Sequence, residues 1–259
     1  MALRAARLAG QRMVRAFDRP DTITVTDKGR IDFVTNVDQE IERLVIDTLR
    51  ASYPTHAYRG EENVYGNDVT DAEYEWVIDP IDGTYNFVRN IPHFCISIGC
   101  IHKGRLEHGV ILDPMRQEEF VASRGQGCQL NGKRLRTSNL VSLEGAAIST
   151  GGRENDTPGG QGRLYTNLLE EGVKLRQAGS AALDLAYIAA GRLDGMWMSK
   201  LNIWDMAAGA LMVTESGGLL GDFEGGTGYL ESGNLVAASP RVFRGLAPLV
   251  KKHLVKSRG

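Results

Sequence analysis

The sequence predicts an α+β layered protein, and three observations predict it. Apolar residues recur at helical spacing twice within the first fifty positions. A meander of short apolar strands, broken by turn residues, occupies positions 94–130. Beyond position 140, short strand patterns alternate with helical ones. The chain has 259 residues, 42% of them hydrophobic and 24% charged, which suffices for one large domain or two close lobes and argues against disorder.

Residues 1–17 carry Arg4, Arg7, Arg12 and Arg15 and no acid, a faint transit-peptide pattern. The segment is poor in serine, and Leu3, Leu8, Val14 and Phe17 read as the apolar stripe of a core-packing helix. Asp18-Arg19-Pro20-Asp21 breaks that helix, and Ile23 and Val25 alternate as a short strand. Ile41, Leu44, Val45 and Leu49 predict a second helix with Asp38 near its start, where the helix dipole favours an acid. Tyr53-Pro54 ends it, and 56–59 reads as a strand leading to Gly60-Glu61-Glu62. Positions 63–75 read as a polar loop. Trp76, Val77 and Ile78 read as the end of a buried strand with Asp79 at its tip; Pro80, which has no N–H to donate, is expected to end the pairing.

The meander strands are placed at 94–101, 106–112, 119–123 and near 128–130, with Asn131-Gly132 the strongest hairpin signal. A soft boundary near 136–145 divides a lobe at 1–140 from one at 141–259. In the second lobe, 146–150 reads as a strand and 151–162 as a mobile loop, with five glycines and Pro158. A helix is expected at 164–172 and a strand at 173–176. Ser180 caps a further helix, and 196–198 reads as a strand. Asp205 is expected to cap a helix ended by Gly217-Gly218, and Ser239-Pro240 opens the last helix.

Several classes are disfavoured. The net charge of -2 gives no global drive toward nucleic acid. Cys95, Cys100 and Cys128 are odd in number and lack zinc spacing, which points to a reducing, cytoplasmic setting. No apolar run approaches the ~20 residues that span a bilayer, so no membrane partner is expected. His93, His102 and His108 are scattered without ligand spacing.

The chemistry concentrates at 76–89. Asp79 and Asp82 sit on one turn, and Ile81 between them offers a carbonyl: oxygen donors of the kind a hard cation such as Mg²⁺ takes. The N–H groups of Gly83 and Thr84 could hold a phosphate at a helix start. The plain alternative is a capped strand-to-helix turn, since Asp-Pro and Asp-Gly are ordinary turn dipeptides.

Residue order favours the chemical reading. Val77-Ile78-Asp79-Pro80-Ile81-Asp82-Gly83-Thr84, with Phe87 after it, resembles the first signature of the inositol monophosphatase family. Trp204-Asp205-Met206-Ala207-Ala208-Gly209, followed by Gly217-Gly218, resembles its second, and Asp32 to Asp38 its Asp-x-Val-Thr-x-x-Asp element. The likeness runs from Leu3 to the last helix and is nearest the bacterial SuhB type. It implies an αβαβα sandwich, commonly a homodimer, in a lithium-sensitive phosphatase that hydrolyses inositol-1-phosphate with two or three Mg²⁺. It assigns Glu61, Asp79, Ile81, Asp82 and Asp205 to the metal, Glu61 also to the attacking water, and Thr84 and Asp38 to its support. Asp82, Gly83, Thr84, Arg176, Gly179, Ser180, Ala181 and Asp205 would touch the substrate. No covalent phosphoenzyme is expected.

Gly-Gly-Arg at 151–153 replaces the Gly-Phe-Pro of resembling bacterial enzymes, a departure that bears on the conformation of the 151–162 loop. Two departures bear on substrate: Met198 falls where many inositol phosphatases have a sugar-binding Glu, and Tyr85 replaces a commoner Thr. A bisphosphate nucleotidase, a fructose-1,6-bisphosphatase or a histidinol-phosphatase relative therefore stays open. The resemblance also implies a different class of role: relatives of this bacterial type bind the transcription machinery and act in antitermination.

Overall fold

Small side chains decide how the first helices pack. The computed structural model describes residues 1–29, 32–65, 72–152 and 159–255; half of the glycine-rich loop expected at 151–162, the positions 153–158 that include Arg153, lies outside them. Helix α1 (Ala2–Phe17) buries Ala5, Ala6, Ala9, Met13, Ala16 and Phe17. Leu8 is 37% exposed. Of the expected stripe, Phe17 is buried and Leu3 packs partly buried against the core, whereas Val14 is half-buried and Leu8 is turned to the surface. The alanine face admits close neighbours: a Cβ at Gly10 would stand 2.7 Å from Leu112. After a hairpin of β1 (Val25–Gly29) and β2 (Asp32–Thr35), α2 (Asn36–Arg50) packs beside α1 through Val37, Ile41, Val45 and Leu49.

The large sheet has seven strands among the described residues, in chain order: β3 (Ala57–Gly60), β4 (Tyr74–Asp82), β5 (Cys95–His102), β6 (Arg105–Asp113), β7 (Glu118–Ser123), β8 (Gly127–Leu130) and β9 (Lys133–Arg134). The β3–β4 pair is parallel and every later pair antiparallel. Asn131 and Gly132 both take positive φ, 48° and 78°, as a type I′ hairpin requires. One expectation fails here. Pairing does not end at Pro80: β4 runs on to Asp82, which pairs with Cys95 after a slip of register between Asp79 and Asp82. The proline that cannot donate is absorbed in the bulge, and the bulge re-aims the two carboxylates.

Strand alternation sorts the faces. Ile78, Ile96, Ile98, Val110 and Leu112 pack against α1 and α2. Val77, Cys95, Ile111, Phe120 and Ala122 face α5 (Ala181–Ala189) and α6 (Ile203–Glu215) on the other side. On that side Gly99 and Gly109 form a track for α6: a Cβ at Gly99 would stand 2.7 Å from the Ala207 Cβ, and one at Gly109 would stand 2.9 Å from the Ala208 carbonyl. Beyond α5 and α6 lies a mixed five-stranded sheet, ordered β11 (Lys174–Arg176), β10 (Ala147–Gly152), β12 (Gly195–Ser199), β14 (Leu235–Ala238) and β13 (Leu219–Gly221). The outer layer is α4 (Gly160–Glu170) and α8 (Pro240–Leu254), packed on Ile148, Trp197 and Val236. The result is an αβαβα sandwich. Two short helices, α3 (Thr84–Val88) and α7 (Tyr229–Ser232), sit in connections. Among the described residues no helix is long and apolar enough to cross a membrane.

Candidate active site

The end of β4, the turn after β3 and the first turns of α2, α3, α5 and α6 converge. Asp38 stands at the third position of α2 in a capping box: its Oδ2 accepts the Thr35 N–H at 2.9 Å and the Thr35 hydroxyl at 2.5 Å. Thr84 reaches it with a longer contact, 3.4 Å to Oδ1, and donates to the Ile81 carbonyl at 2.9 Å. Asp205 repeats the device on α6. Its Oδ2 accepts the Asn202 N–H at 2.7 Å, so the cap is Asn202 and Asp205 sits three residues inside, not at the cap position the sequence pattern suggested.

Asp82 is bound into the start of α5. Its Oδ2 accepts the Ser180 hydroxyl at 2.6 Å and the Ala182 N–H at 2.7 Å; its Oδ1 accepts the Ala181 N–H at 3.3 Å, and the Cys95 thiol approaches at 3.8 Å. Ser180 caps α5 as expected. Gly179 takes a φ of 89°, and its carbonyl lies 3.2 Å from where a Gly83 Cβ would stand. The Gly83 turn and the Gly179 turn therefore touch, which brings Gly83, Thr84, Gly179, Ser180 and Ala181 to one place. Arg176, three residues ahead of Gly179, is exposed at the end of β11.

Asp79 differs from all of these. It is 2% exposed, and its Oδ1 is buried without a hydrogen-bond partner. Burial drives its pKa well above the carboxylate range, and the charges of Glu61, Asp82, Asp205 and Asp38 push it further. Burial likewise lifts Asp38 to about 6 against its bonds from Thr35, and lifts Asp82 against its bonds from Ser180, Ala182 and Ala181. Five acids thus share one electrostatic neighbourhood. Among the described residues, however, no three of them close into a tight metal cage, and mutual repulsion opposes such closure. The donor set is oxygen throughout, and an orphaned buried carboxylate atom among like charges is what a hard cation would satisfy. These residues fit Mg²⁺.

Two bridging residues escaped the sequence reading. Asn86 Nδ2 donates 2.8 Å bonds to the carbonyls of His93 and Ala178, tying the β4–β5 connection to the Gly179 turn. Its position two residues after Thr84 was the available signal. Glu42, wholly buried on α2, accepts bonds from the Glu62 and Val64 N–H groups; an acid four residues after Asp38 marked it. Met198, expected beside the substrate, is 4% exposed and packs in the apolar layer with Leu185 and Met206. A groove of about 550 Å³ along α1, lined by Arg7, Gly10, Val14 and Leu112, contains none of the clustered acids.

A layered αβαβα fold with acids from several elements gathered around the end of β4 is the fold of inositol-monophosphatase-type phosphatases. The chain belongs to the Inositol monophosphatase family, which matches it over residues 1–255. It is 49% identical to the Nus factor SuhB of Pseudomonas aeruginosa, over 99% of this chain and 97% of that protein. Among solved structures it resembles the extragenic suppressor protein suhB of Bartonella henselae, with 37% identity, 96% of each chain covered and a TM-score of 0.91. It also resembles the Thermotoga maritima IMPase, with 32% identity over 96% of this chain and 94% of that one and a TM-score of 0.86.

Proposed function

We propose that this protein is a Nus-type factor that associates with a transcription complex and also carries a metal-dependent phosphate monoesterase centre. The first role is supported by the relatives named Nus factor SuhB, which match 94–99% of the chain at 40–49% identity. The second is supported by one geometric observation: the buried, unpartnered Asp79 oxygen among four other acids.

In the catalytic reading, Glu61, Asp79, Asp82, Asp205 and the Ile81 carbonyl would hold two or three Mg²⁺. When bound, the metal neutralises the ester and lowers the pKa of water. Glu61 orients the attacking water, and Thr84, bonded to the Ile81 carbonyl and touching Asp38, fixes the proton inventory on that side. Asp82, held by Ser180 and the α5 N–H groups, joins the metal turn to the substrate turn. Gly83 and Thr84 offer N–H groups to the phosphate; Arg176, Gly179, Ser180, Ala181 and Asp205 line the alcohol side. Water attacks phosphorus directly as the ester P–O bond breaks; the alkoxide leaves and takes a proton from water to give the alcohol and inorganic phosphate, without a covalent phosphoenzyme. The working substrate is inositol-1-phosphate, with lithium as inhibitor and a homodimer as the assembly. Met198 keeps a carboxylate from its place, so a preference for another ester would replace the substrate and leave the metal chemistry standing.

Two measurements separate the roles. Phosphate release is followed with and without Mg²⁺ on inositol-1-phosphate, fructose-1,6-bisphosphate, 3'-phosphoadenosine-5'-phosphate and histidinol phosphate. Mg²⁺-dependent release that is lost in a folded Asp205→Asn protein is expected; wild-type rates in that variant would sink the ligand assignment. A pull-down with RNA polymerase and elongation factors is then run with wild type and Asp82→Asn. Equal retention of both is expected, and failure of the wild-type protein to bind would remove the transcription reading.

A further inference from the structure

The turn that carries Glu61 is held from beneath by an acid with no assigned role. Glu42 lies one helical turn after Asp38 on the same face of α2, and it is wholly buried. Its Oε2 accepts the Glu62 N–H at 2.7 Å and its Oε1 the Val64 N–H at 2.9 Å. Between those donors Asn63 takes a φ of 51°, so the backbone curls around the carboxylate. Gly60 completes the fit, because a Cβ there would fall inside the Glu42 carboxyl group. On its other side Glu61 is pinned to the large sheet: its N–H donates to the Ile78 carbonyl at 3.1 Å, one residue before Asp79.

We propose that Glu42 is a positioning residue for the metal centre: by clamping the 60–64 turn through two backbone N–H groups, it sets where the Glu61 carboxylate meets Asp79. The inference rests on the metal-centre reading above. Each Glu42 oxygen is engaged by a backbone donor, so its part is to fix the turn while Glu61 supplies the ligand. Ionised carboxylates make the stronger bonds to N–H groups. A glutamine would keep one acceptor and set its own NH₂ against a backbone N–H. The helix that carries Asp38 thereby also governs Glu61, and α2 acts as one ruler for both.

The test is Mn²⁺ binding to the full chain, followed by electron paramagnetic resonance, for wild type, Glu42→Gln and Glu42→Asp. Phosphate release is measured across Mg²⁺ concentrations alongside. Orienting partners of metal ligands typically contribute about 10- to 100-fold in affinity. The expected result is Mn²⁺ affinity about tenfold weaker in Glu42→Gln, with turnover recovering at high Mg²⁺ and substrate KM unchanged at saturating metal. Loss of thermal stability alone, with wild-type Mn²⁺ affinity, would overturn the inference. If neither variant folds, hydrogen exchange in the metal-free wild type decides: slow exchange of the Glu62 and Val64 amides supports the clamp, and open-chain rates overturn it. A wild-type protein that binds no Mn²⁺ would overturn the metal-centre reading and this inference with it, whereas wild-type binding matched by Glu42→Gln overturns this inference alone.

Discussion

Asp79 and Asp82 stand three residues apart on one strand, and the fold treats them oppositely. Asp82 enters the first turn of α5 and receives a hydroxyl and two N–H groups. Asp79 keeps a buried oxygen with no partner and faces four other acids. The bulge between them sets both on one face of the sheet, since their partners Ser97 and Cys95 lie two residues apart; the difference comes from what each meets there, the start of α5 for Asp82 and other acids for Asp79. One carboxylate is therefore part of the architecture. The other is a local liability that the surrounding packing sustains, and such liabilities mark functional sites more often than frames.

The largest test of that contrast is Asp79→Asn. An amide cannot ionise, and it offers an NH₂ to the neighbouring acids. We expect the metal-free variant to be more stable than wild type by about 1–3 kcal/mol in urea unfolding, the scale of an unsatisfied buried polar group. Mg²⁺-dependent phosphate release should fall about 10³-fold, since metal stabilisation of the transition state is worth several kcal/mol. A variant that is less stable and equally active would erase the distinction between the two aspartates.

A third buried acid sharpens the contrast. Asp184, one turn beyond Ser180 on α5, is 1% exposed and lies 2.5 Å from the Ser149 hydroxyl on β10. Burial raises its pKa to about 7, and the Asp82 charge adds to the rise. The folded protein thus holds this proton more tightly than the unfolded chain does. The stability gained from the neutral form is whole below about pH 4 and is lost as pH rises through about 7. Wild type should lose on the order of a few kcal/mol over that window relative to Asp184→Asn, whose side chain is neutral throughout. Parallel urea titrations at pH 5 and pH 8 check it; profiles that stay parallel would show that the Asp184 carboxylate is satisfied by protein donors, as Asp82 is by Ser180 and the α5 N–H groups, rather than stranded like Asp79.

Much of this frame was legible because its signals are local. Asn131-Gly132, the Ser180 cap and the meander strands depend on neighbours in sequence, and they appear where the pattern puts them. The helix-face assignment in α1 failed at Leu8 for a physical reason. Leucines signal burial by hydrophobicity, but close packing against α2 and Leu112 selected alanine and glycine, so Ala9 is buried and Leu8 is not. The path of β4 past Pro80 was hidden because a bulge depends on the partner strand, here Cys95. In the candidate site, the residue types and their order were readable, whereas the clamps were not. Asn86 reaches a carbonyl 92 residues away and Glu42 a turn 20 residues away, and no spacing rule carries that information.

The smallest expected effect falls on the satisfied side. Ser180→Ala removes the 2.6 Å donor from Asp82 and the cap from α5, where Ser180 accepts the Leu183 N–H at 3.4 Å. The Ala182 and Ala181 N–H groups still hold the carboxylate. A lost cap and one lost bond among several cost about 1–2 kcal/mol. Urea midpoints should shift by that amount without a change in slope, and Mn²⁺ affinity should stay within a few-fold of wild type, because the backbone donors keep Asp82 aimed. If instead Mn²⁺ binding collapsed while stability held, the hydroxyl would be steering the metal side directly. Asp82 would then belong with Asp79, as a carboxylate whose surroundings serve a cation rather than the fold.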